Sequence, residues 1–229
     1  MPRDMSKDLA PVFAKMLTTL DQKVDPAHAA LIVVDVQNDF CAIGGVFDRE
    51  GFDLSLMQAM VPRLTNFIDQ AREVGLLIIY IQTIHISGNV YYASDVWLEQ
   101  WKRVGKGAHI KYPVCEKNAW GAEFYPGIKP LPGEIVVQKH RYSAFVDTDL
   151  PLILRSKGIR TLIMSGVATN ICVEATAKDG FMRDFYIVFL RDCTATVAEE
   201  LHNNTLGSIA NHFGEVVDSS DVLRCWQKR

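Results

Sequence analysis

The feature that most constrains this fold is a series of short runs rich in apolar residues, separated by segments that read as helices. The runs occupy residues 29–36, 76–81, 134–138, 161–164, 186–190 and 215–217. Such runs are typical of strands that are buried on both faces of a parallel sheet. Predicted helices occupy residues 54–72, 147–156, 169–182 and 197–212. Because strands and helices alternate along the chain, we predict an α/β fold with a mostly parallel sheet.

Length and composition indicate a single domain, residues 1–229, with a large core. Of the 229 residues, 48% are hydrophobic and 22% are charged, which suits one α/β domain. The formal net charge of −3 provides no broad basic surface that would attract nucleic acid or anionic lipid. No apolar run reaches membrane-spanning length. We therefore expect neither a nucleic-acid partner nor a membrane partner.

The five cysteines argue against a disulfide framework. They are an odd number, and they form neither a C-x-x-C pair nor a metal-ligand spacing. The N-terminal residues are charged and lack the apolar segment of a signal peptide. We therefore expect a cytoplasmic protein, in which thiols stay reduced.

Two segments are predicted to lie outside the sheet. Residues 1–27 contain an amphipathic pattern at 5–20, which predicts an N-terminal helical extension that packs on the body or forms an oligomer contact. Residues 83–133 are irregular, and we interpret them as a structured insertion that walls a pocket. The aromatic residues that favour this interpretation are Tyr91, Tyr92, Trp97, Trp101, Tyr112, Trp120 and Tyr125.

Three chemically active side chains lie at or just beyond the carboxyl ends of predicted strands. Asp35 interrupts the first run near its end, Lys139 follows the third, and Cys172 follows the fourth. Asp35 could instead cap a loop amide, Lys139 could face solvent, and Cys172 could pack as a small hydrophobic residue. Since the carboxyl ends of parallel strands share the edge where open α/β sheets bind ligands, the three side chains can meet.

Cys172 lies near the N-terminus of a predicted helix that Thr169 or Asn170 can cap. Unpaired backbone N–H groups and the helix dipole there favour a thiolate and can hold a developing oxyanion. A carboxylate beside the thiol can take its proton, and a lysine beside both stabilises negative charge. The pattern therefore predicts a thiol nucleophile together with its base.

Three segments resemble the signature segments of the isochorismatase-like cysteine hydrolases. They are LIVVDVQNDF at 31–40, KHRYSAF at 139–145 and GVATNICV at 166–173. Their order and wide spacing also match, and the resemblance covers residues 28–218. Further similarity at 141–143, 172–176 and 179–181 is greatest to ureidoacrylate amidohydrolases, which are close in chemistry to biuret and triuret hydrolases.

The resemblance implies an open, six-stranded, mostly parallel sheet with helices on both faces, and a catalytic triad of Asp35, Lys139 and Cys172. It also implies a cis peptide bond between Val167 and Ala168, with the amides of Ala168 and Cys172 forming an oxyanion hole. We expect no cofactor. The candidate substrate-binding residues are Phe40, Gln82, Trp120, Arg141 and Tyr142.

The segment after the second strand departs from the metal-binding members of this family. Nicotinamidase-type members bind a metal there through a carboxylate and paired histidines. This chain has Gln82, Thr83, Ile84 and His85, with no second histidine nearby. We therefore predict no metal site and expect His85 in a loop or a pocket wall.

These observations predict a cysteine-dependent amidohydrolase that cleaves a C–N bond of a small linear ureide or carbamoyl compound through a thioester and releases ammonia or a carbamate. The alternatives are an amidase for N-carbamoyl amino acids or nicotinamide, and an inactive binding protein of the same fold. A dinucleotide-binding oxidoreductase is disfavoured because no G-x-G-x-x-G follows the first strand. We also expect a homo-oligomer, either a dimer or a tetramer.

Overall fold

The structure, a computed structural model, describes residues 6–85, 94–104 and 113–228. These residues form a six-stranded open sheet in which every pairing is parallel, in the order β3-β2-β1-β4-β5-β6. The strands are β1 (Ala29–Val34), β2 (Leu77–Thr83), β3 (Ile135–Lys139), β4 (Thr161–Val167), β5 (Tyr186–Ala195) and β6 (Glu215–Val217). The predicted fold class is confirmed.

Helices cover both faces of the sheet. The α-helices in the described ranges are α1 (Ser6–Phe13), α2 (Leu20–Lys23), α3 (Asn38–Cys41), α4 (Val46–Arg49), α5 (Ser55–Glu73), α6 (Asp95–Val104), α7 (Leu150–Ser156), α8 (Glu174–Phe181), α9 (Glu199–His212) and α10 (Ser219–Trp226). Apolar residues of α5 and α10 form the core on one face, and those of α7, α8 and α9 form it on the other. None of the helices built from the described residues combines the length and apolarity needed to cross a membrane.

The central strand β1 shows why an uninterrupted apolar run is required. All of its residues are fully buried. Leu31 and Val33 pack into the core beneath α5, whereas Ile32 and Val34 pack into the core beneath α7 and α8. Because side chains alternate between the faces of a strand, a strand covered on both faces needs apolar residues at every position. Each large aliphatic side chain buried in this way contributes roughly 1.5–3 kcal/mol.

In the N-terminal pattern at 5–20, which was predicted as one helix, helix α1 stops well before the end of the pattern. α1 ends at Phe13 and α2 begins at Leu20. Thr19 starts α2 with a capping box, in which its Oγ1 accepts from the N–H of Gln22 and its own N–H donates to Oε1 of Gln22. This reciprocal pair defines a helix start at the end of the predicted segment.

The predicted insertion at 83–133 is described only in part. Residues 86–93 and 105–112, with Tyr91, Tyr92 and Tyr112, lie outside the described residues. The described part contains α6 and a 3₁₀ turn at Trp120–Ala122.

Gly166 allows β4 to approach β1 beside the edge where Asp35 emerges. Its φ is +103°, and a Cβ at this position would lie 2.1 Å from the carbonyl oxygen of Val34. Both the backbone conformation and the contact therefore require glycine.

We expect Gly166→Ala to lower the free energy of unfolding by about 2–4 kcal/mol, because it combines an unfavourable φ with a clash against fixed backbone. Urea unfolding of the variant measures this loss. Gly75→Ala is the matched control, since Gly75 has a φ of +70° and a Cβ added to it would have no atom within 4 Å. If both variants lost the same free energy of unfolding, the close approach of β4 to β1 at Gly166 would not be the cause.

Candidate active site

The carboxyl ends of β1, β3 and β4 bring Asp35, Lys139 and Cys172 together. The strand order reverses between β1 and β4, since β2 and β3 lie beyond β1 while β5 and β6 lie beyond β4. Open α/β sheets have a crevice at such a reversal, outside the strand ends. Asp35 directly follows β1, Lys139 ends β3, and Cys172 follows β4 after a short turn.

Lys139 is a buried cation, 1% exposed. Its Nζ lies 2.8 Å from Oδ2 of Asp35 and donates to Sγ of Cys172 at 3.4 Å. It also donates to Oγ1 of Thr83 at 2.8 Å and to the carbonyl oxygen of Arg141 at 3.0 Å. Burial is the largest single effect and lowers the pKa of Lys139, but its interactions with Asp35 and Cys172 together outweigh burial and raise this pKa above its ordinary value. The side chain is therefore an ammonium at neutral pH and does not face solvent.

Asp35 is held in an uncommon backbone conformation, with a φ of +51°. Aspartate adopts this left-handed region more readily than most residues. The Asp35 N–H still donates to the carbonyl oxygen of Ile81 at 3.0 Å, so the hydrogen bonding between β1 and β2 continues to this residue. Among the described residues, no loop amide donates to either carboxylate oxygen. The carboxylate is therefore paired with Lys139 and does not cap a loop.

Cys172 lies in a π-helical turn, Thr169–Val173, directly before α8. This differs from the predicted first turn of an α-helix capped by Thr169 or Asn170. The residue before the turn is Ala168, and no side chain caps the turn. The N–H groups of Ile171 and Val173 both donate to the carbonyl oxygen of Ala168, at 3.1 and 3.3 Å. The backbone on both sides of Cys172 is thus tied to one acceptor.

The thiol of Cys172 is protonated at neutral pH. Burial raises its pKa to about 12, against the lowering effect of Lys139 and with a further raising effect of Asp35. Burial of the sulfur thus opposes the stabilisation of a thiolate that was predicted from the helix end, because the loss of hydration acts against the field of a helix N-terminus. The thiol must lose its proton during a reaction.

A cavity of about 70 Å³ opens over these side chains, with Asp35, Lys139 and Cys172 in its wall. Since one water needs roughly 10–15 Å³ of such a volume, the cavity suits a small molecule. The peptide bond between Val167 and Ala168, which also line the cavity, is cis, as the resemblance implies.

Three of the five candidate substrate-binding residues line the cavity, namely Phe40, Arg141 and Tyr142. Gln82 and Trp120 lie elsewhere. Side chains alternate along β2, so Thr83 faces the cavity while Nε2 of Gln82 donates to the carbonyl oxygen of Ala122 at 2.9 Å. Trp120 is 49% exposed. Proximity in the sequence did not indicate these directions.

Trp97 of the predicted insertion is part of the cavity wall. Its ring packs on Tyr142 with a centroid distance of 4.7 Å, and the Arg141 guanidinium lies 5.2 Å from the Trp97 centroid. Nη1 of Arg141 donates to the carbonyl oxygen of His140 at 2.8 Å. This group places a cation and two aromatic rings beside the nucleophile.

His85 and His140 also line the cavity. Their Nδ1 atoms lie 2.7 Å from the carbonyl oxygen of Val114 and 2.6 Å from that of Ile84. Because a carbonyl only accepts, each Nδ1 carries a proton. Burial lowers the pKa of His85, so this side chain is neutral at pH 7. Across the described ranges, no three histidine, cysteine, aspartate or glutamate side chains are grouped as metal ligands would be.

Gln37, Asn38 and Asp39 hold the segment around residues 114–124 against the end of β1. Their side chains are buried, and each bonds main-chain atoms over distances of 2.6–2.9 Å. The residues that supply these main-chain atoms are Thr83, Cys115, Trp120 and Ala122. The three polar residues belong to the segment 31–40 that resembles the family, but this bracing role was not predicted for them. Their position directly after a fully buried strand was the available signal.

Comparisons with known proteins identify the family of this chain. A model of the isochorismatase domain matches residues 29–221. Over 204 residues the chain is 35% identical to ureidoacrylate amidohydrolase RutB of Methylobacterium radiotolerans, covering 85% of this chain and 78% of the relative.

Solved structures share the fold. A cysteine hydrolase from Pseudomonas syringae pv. phaseolicola is 25% identical, with a TM-score of 0.78, over 94% of this chain and 99% of that one. N-carbamoylsarcosine amidase from Thermoplasma acidophilum is 26% identical, with a TM-score of 0.64, over 84% and 96%. The extent of the domain match and the identity to the curated relative lead to one conclusion: this chain belongs to the isochorismatase family.

Proposed function

We propose that the protein is a cysteine-dependent amidohydrolase that cleaves a C–N bond in a small linear ureide or carbamoyl compound. One observation carries the proposal. A buried thiol, a buried ammonium 3.4 Å from it and a carboxylate 2.8 Å from that ammonium surround a small cavity. The activities named for the relatives from Methylobacterium and Thermoplasma favour the same bond type.

In the first half of the proposed reaction, Sγ of Cys172 attacks the carbonyl carbon while its proton passes to Asp35. Burial raises the pKa of the thiol in the free protein, so we assign the proton loss to the attack step, in which the Lys139 ammonium stabilises the charge that develops on sulfur. The amides of Ala168 and Cys172 would hold the oxyanion. The C–N bond then breaks, and the nitrogen leaves with the proton from Asp35.

In the second half, water attacks the acyl carbon of the thioester or thiocarbamate and gives a proton to Asp35. The C–S bond breaks, and that proton returns to Cys172. A ureide that first loses ammonia would yield an N-substituted carbamate. A ureide that first loses its substituted nitrogen, as an amine, would yield unsubstituted carbamate. Both courses end with the starting thiol and carboxylate.

The cavity favours a substrate that carries a carboxylate. Arg141 is only partly exposed and supplies a permanent cation, and its stacking on Trp97 limits the positions of the guanidinium. A planar guanidinium suits a carboxylate, whereas a neutral ureide needs only matched donors and acceptors. Ureidoacrylate therefore fits the site better than biuret or triuret. An N-carbamoyl amino acid, with the same two groups, is the second candidate.

We expect Arg141→Met to raise KM for ureidoacrylate about 10- to 100-fold, as expected when a charged hydrogen bond is lost. Turnover of neutral biuret should change much less. Specificity constants for product formation test both the role of Arg141 and the substrate class. The substrates to compare are ureidoacrylate, biuret, triuret, an N-carbamoyl amino acid, nicotinamide and isochorismate. Arg103→Met is the control, because Arg103 is exposed on α6 and paired with Glu99.

Two outcomes would change this assignment. Equal losses on charged and neutral substrates in Arg141→Met would remove the carboxylate-binding role from Arg141. A clear preference of the unmodified protein for nicotinamide or isochorismate would overturn the ureide class and leave the nucleophile to be tested separately.

A further inference from the structure

The turn that carries Cys172 is held from behind by side chains that do not line the catalytic cavity. Nδ1 of His202, on α9, lies 2.9 Å from Oγ1 of Thr169, the first residue of the turn. Oγ1 of Thr196 donates to Oδ1 of Asn170 at 2.7 Å. The turn therefore has side-chain partners at its first two positions.

A π-helical turn depends on such outside contacts. The π-helix is rare, and it occurs mostly as single turns within α-helices, frequently at functional sites. No side chain caps this turn from within. Thr169 is completely buried, so its hydroxyl needs a hydrogen-bond partner. His202 satisfies that hydroxyl.

His202 is separated from the substrate. It lines a second cavity of about 150 Å³ together with Arg63, Arg191, Thr196 and Glu199, and none of these residues lines the cavity over Cys172. Burial lowers the pKa of His202, and its imidazole is neutral at pH 7. Any effect of His202 on catalysis must therefore pass through the turn.

We propose that His202 is a positioning residue for the nucleophile: its hydrogen bond to Thr169 fixes the turn that aims Sγ of Cys172 at the substrate carbonyl. The inference rests on the proposed function, in which Cys172 is the nucleophile. Nucleophile position matters because a displacement of roughly 1 Å can cost a hundredfold in rate. The bond to Thr169 acts on the same short turn that fixes Sγ.

The test compares His202→Leu with His202→Asn. We expect His202→Leu to lower kcat about 10- to 100-fold with KM within about threefold, because substrate contacts remain while the nucleophile is misplaced. Asparagine places a polar atom near the position of Nδ1, so His202→Asn should recover kcat to within about threefold of the unmodified protein. The alkylation rate of Cys172 by iodoacetamide should follow the same order.

Two controls separate positioning from general destabilisation. Asn203→Ala changes an exposed neighbour on α9, and Ile209→Val removes one methylene group from the buried face of the same helix. Both should retain kcat. Thr169→Val removes the other partner of the bond, so combining it with His202→Leu should add little further loss. This cycle also provides a second variant if His202→Leu does not fold.

A kcat of His202→Leu within twofold of the unmodified protein would overturn the inference. Equal losses in the Leu and Asn variants, with melting temperatures lowered in proportion, would also overturn it, since they would indicate a structural role alone. An active Cys172→Ser protein would instead refute the proposed function on which the inference rests. The two failures are thus distinguished by different variants.

Discussion

Cys172→Ser is expected to lower turnover at least ~10⁴-fold, comparable with the loss of a nucleophile in other acyl-transfer enzymes. A serine alkoxide is far more basic than a thiolate, so the hydroxyl gives up its proton to a carboxylate much less readily than a thiol does. In the proposed reaction, Asp35 takes the proton of a thiol and Lys139 stabilises the charge on sulfur, and neither role transfers readily to a hydroxyl. Ammonia release from ureidoacrylate at saturating concentration measures the effect.

Folding should be preserved in this variant, because serine is slightly smaller than cysteine and remains polar. An unchanged melting temperature would verify this. Cys225→Ser is the matched control, since Cys225 is a half-buried cysteine on α10 that does not line the cavity. Mass spectrometry of the unmodified protein with substrate should detect an acyl group on Cys172 if its hydrolysis is slow. Turnover by Cys172→Ser comparable with that of the control would remove Cys172 from the nucleophile role.

Asp35→Asn should lower kcat about 10³-fold or more. The amide can neither take the thiol proton nor return it to the departing nitrogen, and general acid–base catalysis is worth about 10²–10⁴-fold for each proton transfer. Asparagine tolerates the φ of +51° at this position nearly as well as aspartate. The substitution therefore tests the chemistry of the carboxylate and leaves the backbone in place.

The control for Asp35→Asn is Asp48→Asn. Oδ2 of Asp48 accepts from the N–H of Gly44 at 2.7 Å, and Asp48 does not line the cavity. Its variant should retain kcat within about twofold. A loss of less than about tenfold in Asp35→Asn would leave Asp35 as the structural partner of Lys139, and another base would be needed.

The apolar runs predicted well where the strands lie along the chain, because burial on both faces of the sheet restricts a strand to apolar residues. β1 and β6 agree closely with their predicted ranges. β5 is longer than predicted, since Arg191 and Asp192 ended the apolar run although the strand continues to Ala195. There the pairing shifts register between Met164 and Gly166, which no local sequence pattern indicates.

The meeting of Asp35, Lys139 and Cys172 could be predicted because strand ends are a property of topology. The direction in which each side chain points was harder to predict from the sequence. Gln82 and Thr83 are adjacent, yet only Thr83 faces the cavity. The raised pKa of Cys172 was not predicted, because desolvation depends on everything packed around the sulfur and a helix-capping pattern reports only local backbone.

Lys139 has three N–H bonds, yet four acceptors lie within 3.4 Å of its Nζ. One acceptor therefore lacks a full hydrogen bond, and here it is Oδ2 of Asp35, whose 2.8 Å contact with Nζ is an ion pair without hydrogen-bond geometry. When negative charge moves from carboxylate to sulfur, a small rotation of the ammonium can exchange one bond for another without moving the lysine. In the proposed reaction, the Lys139 ammonium can thus balance negative charge on either the carboxylate or the sulfur.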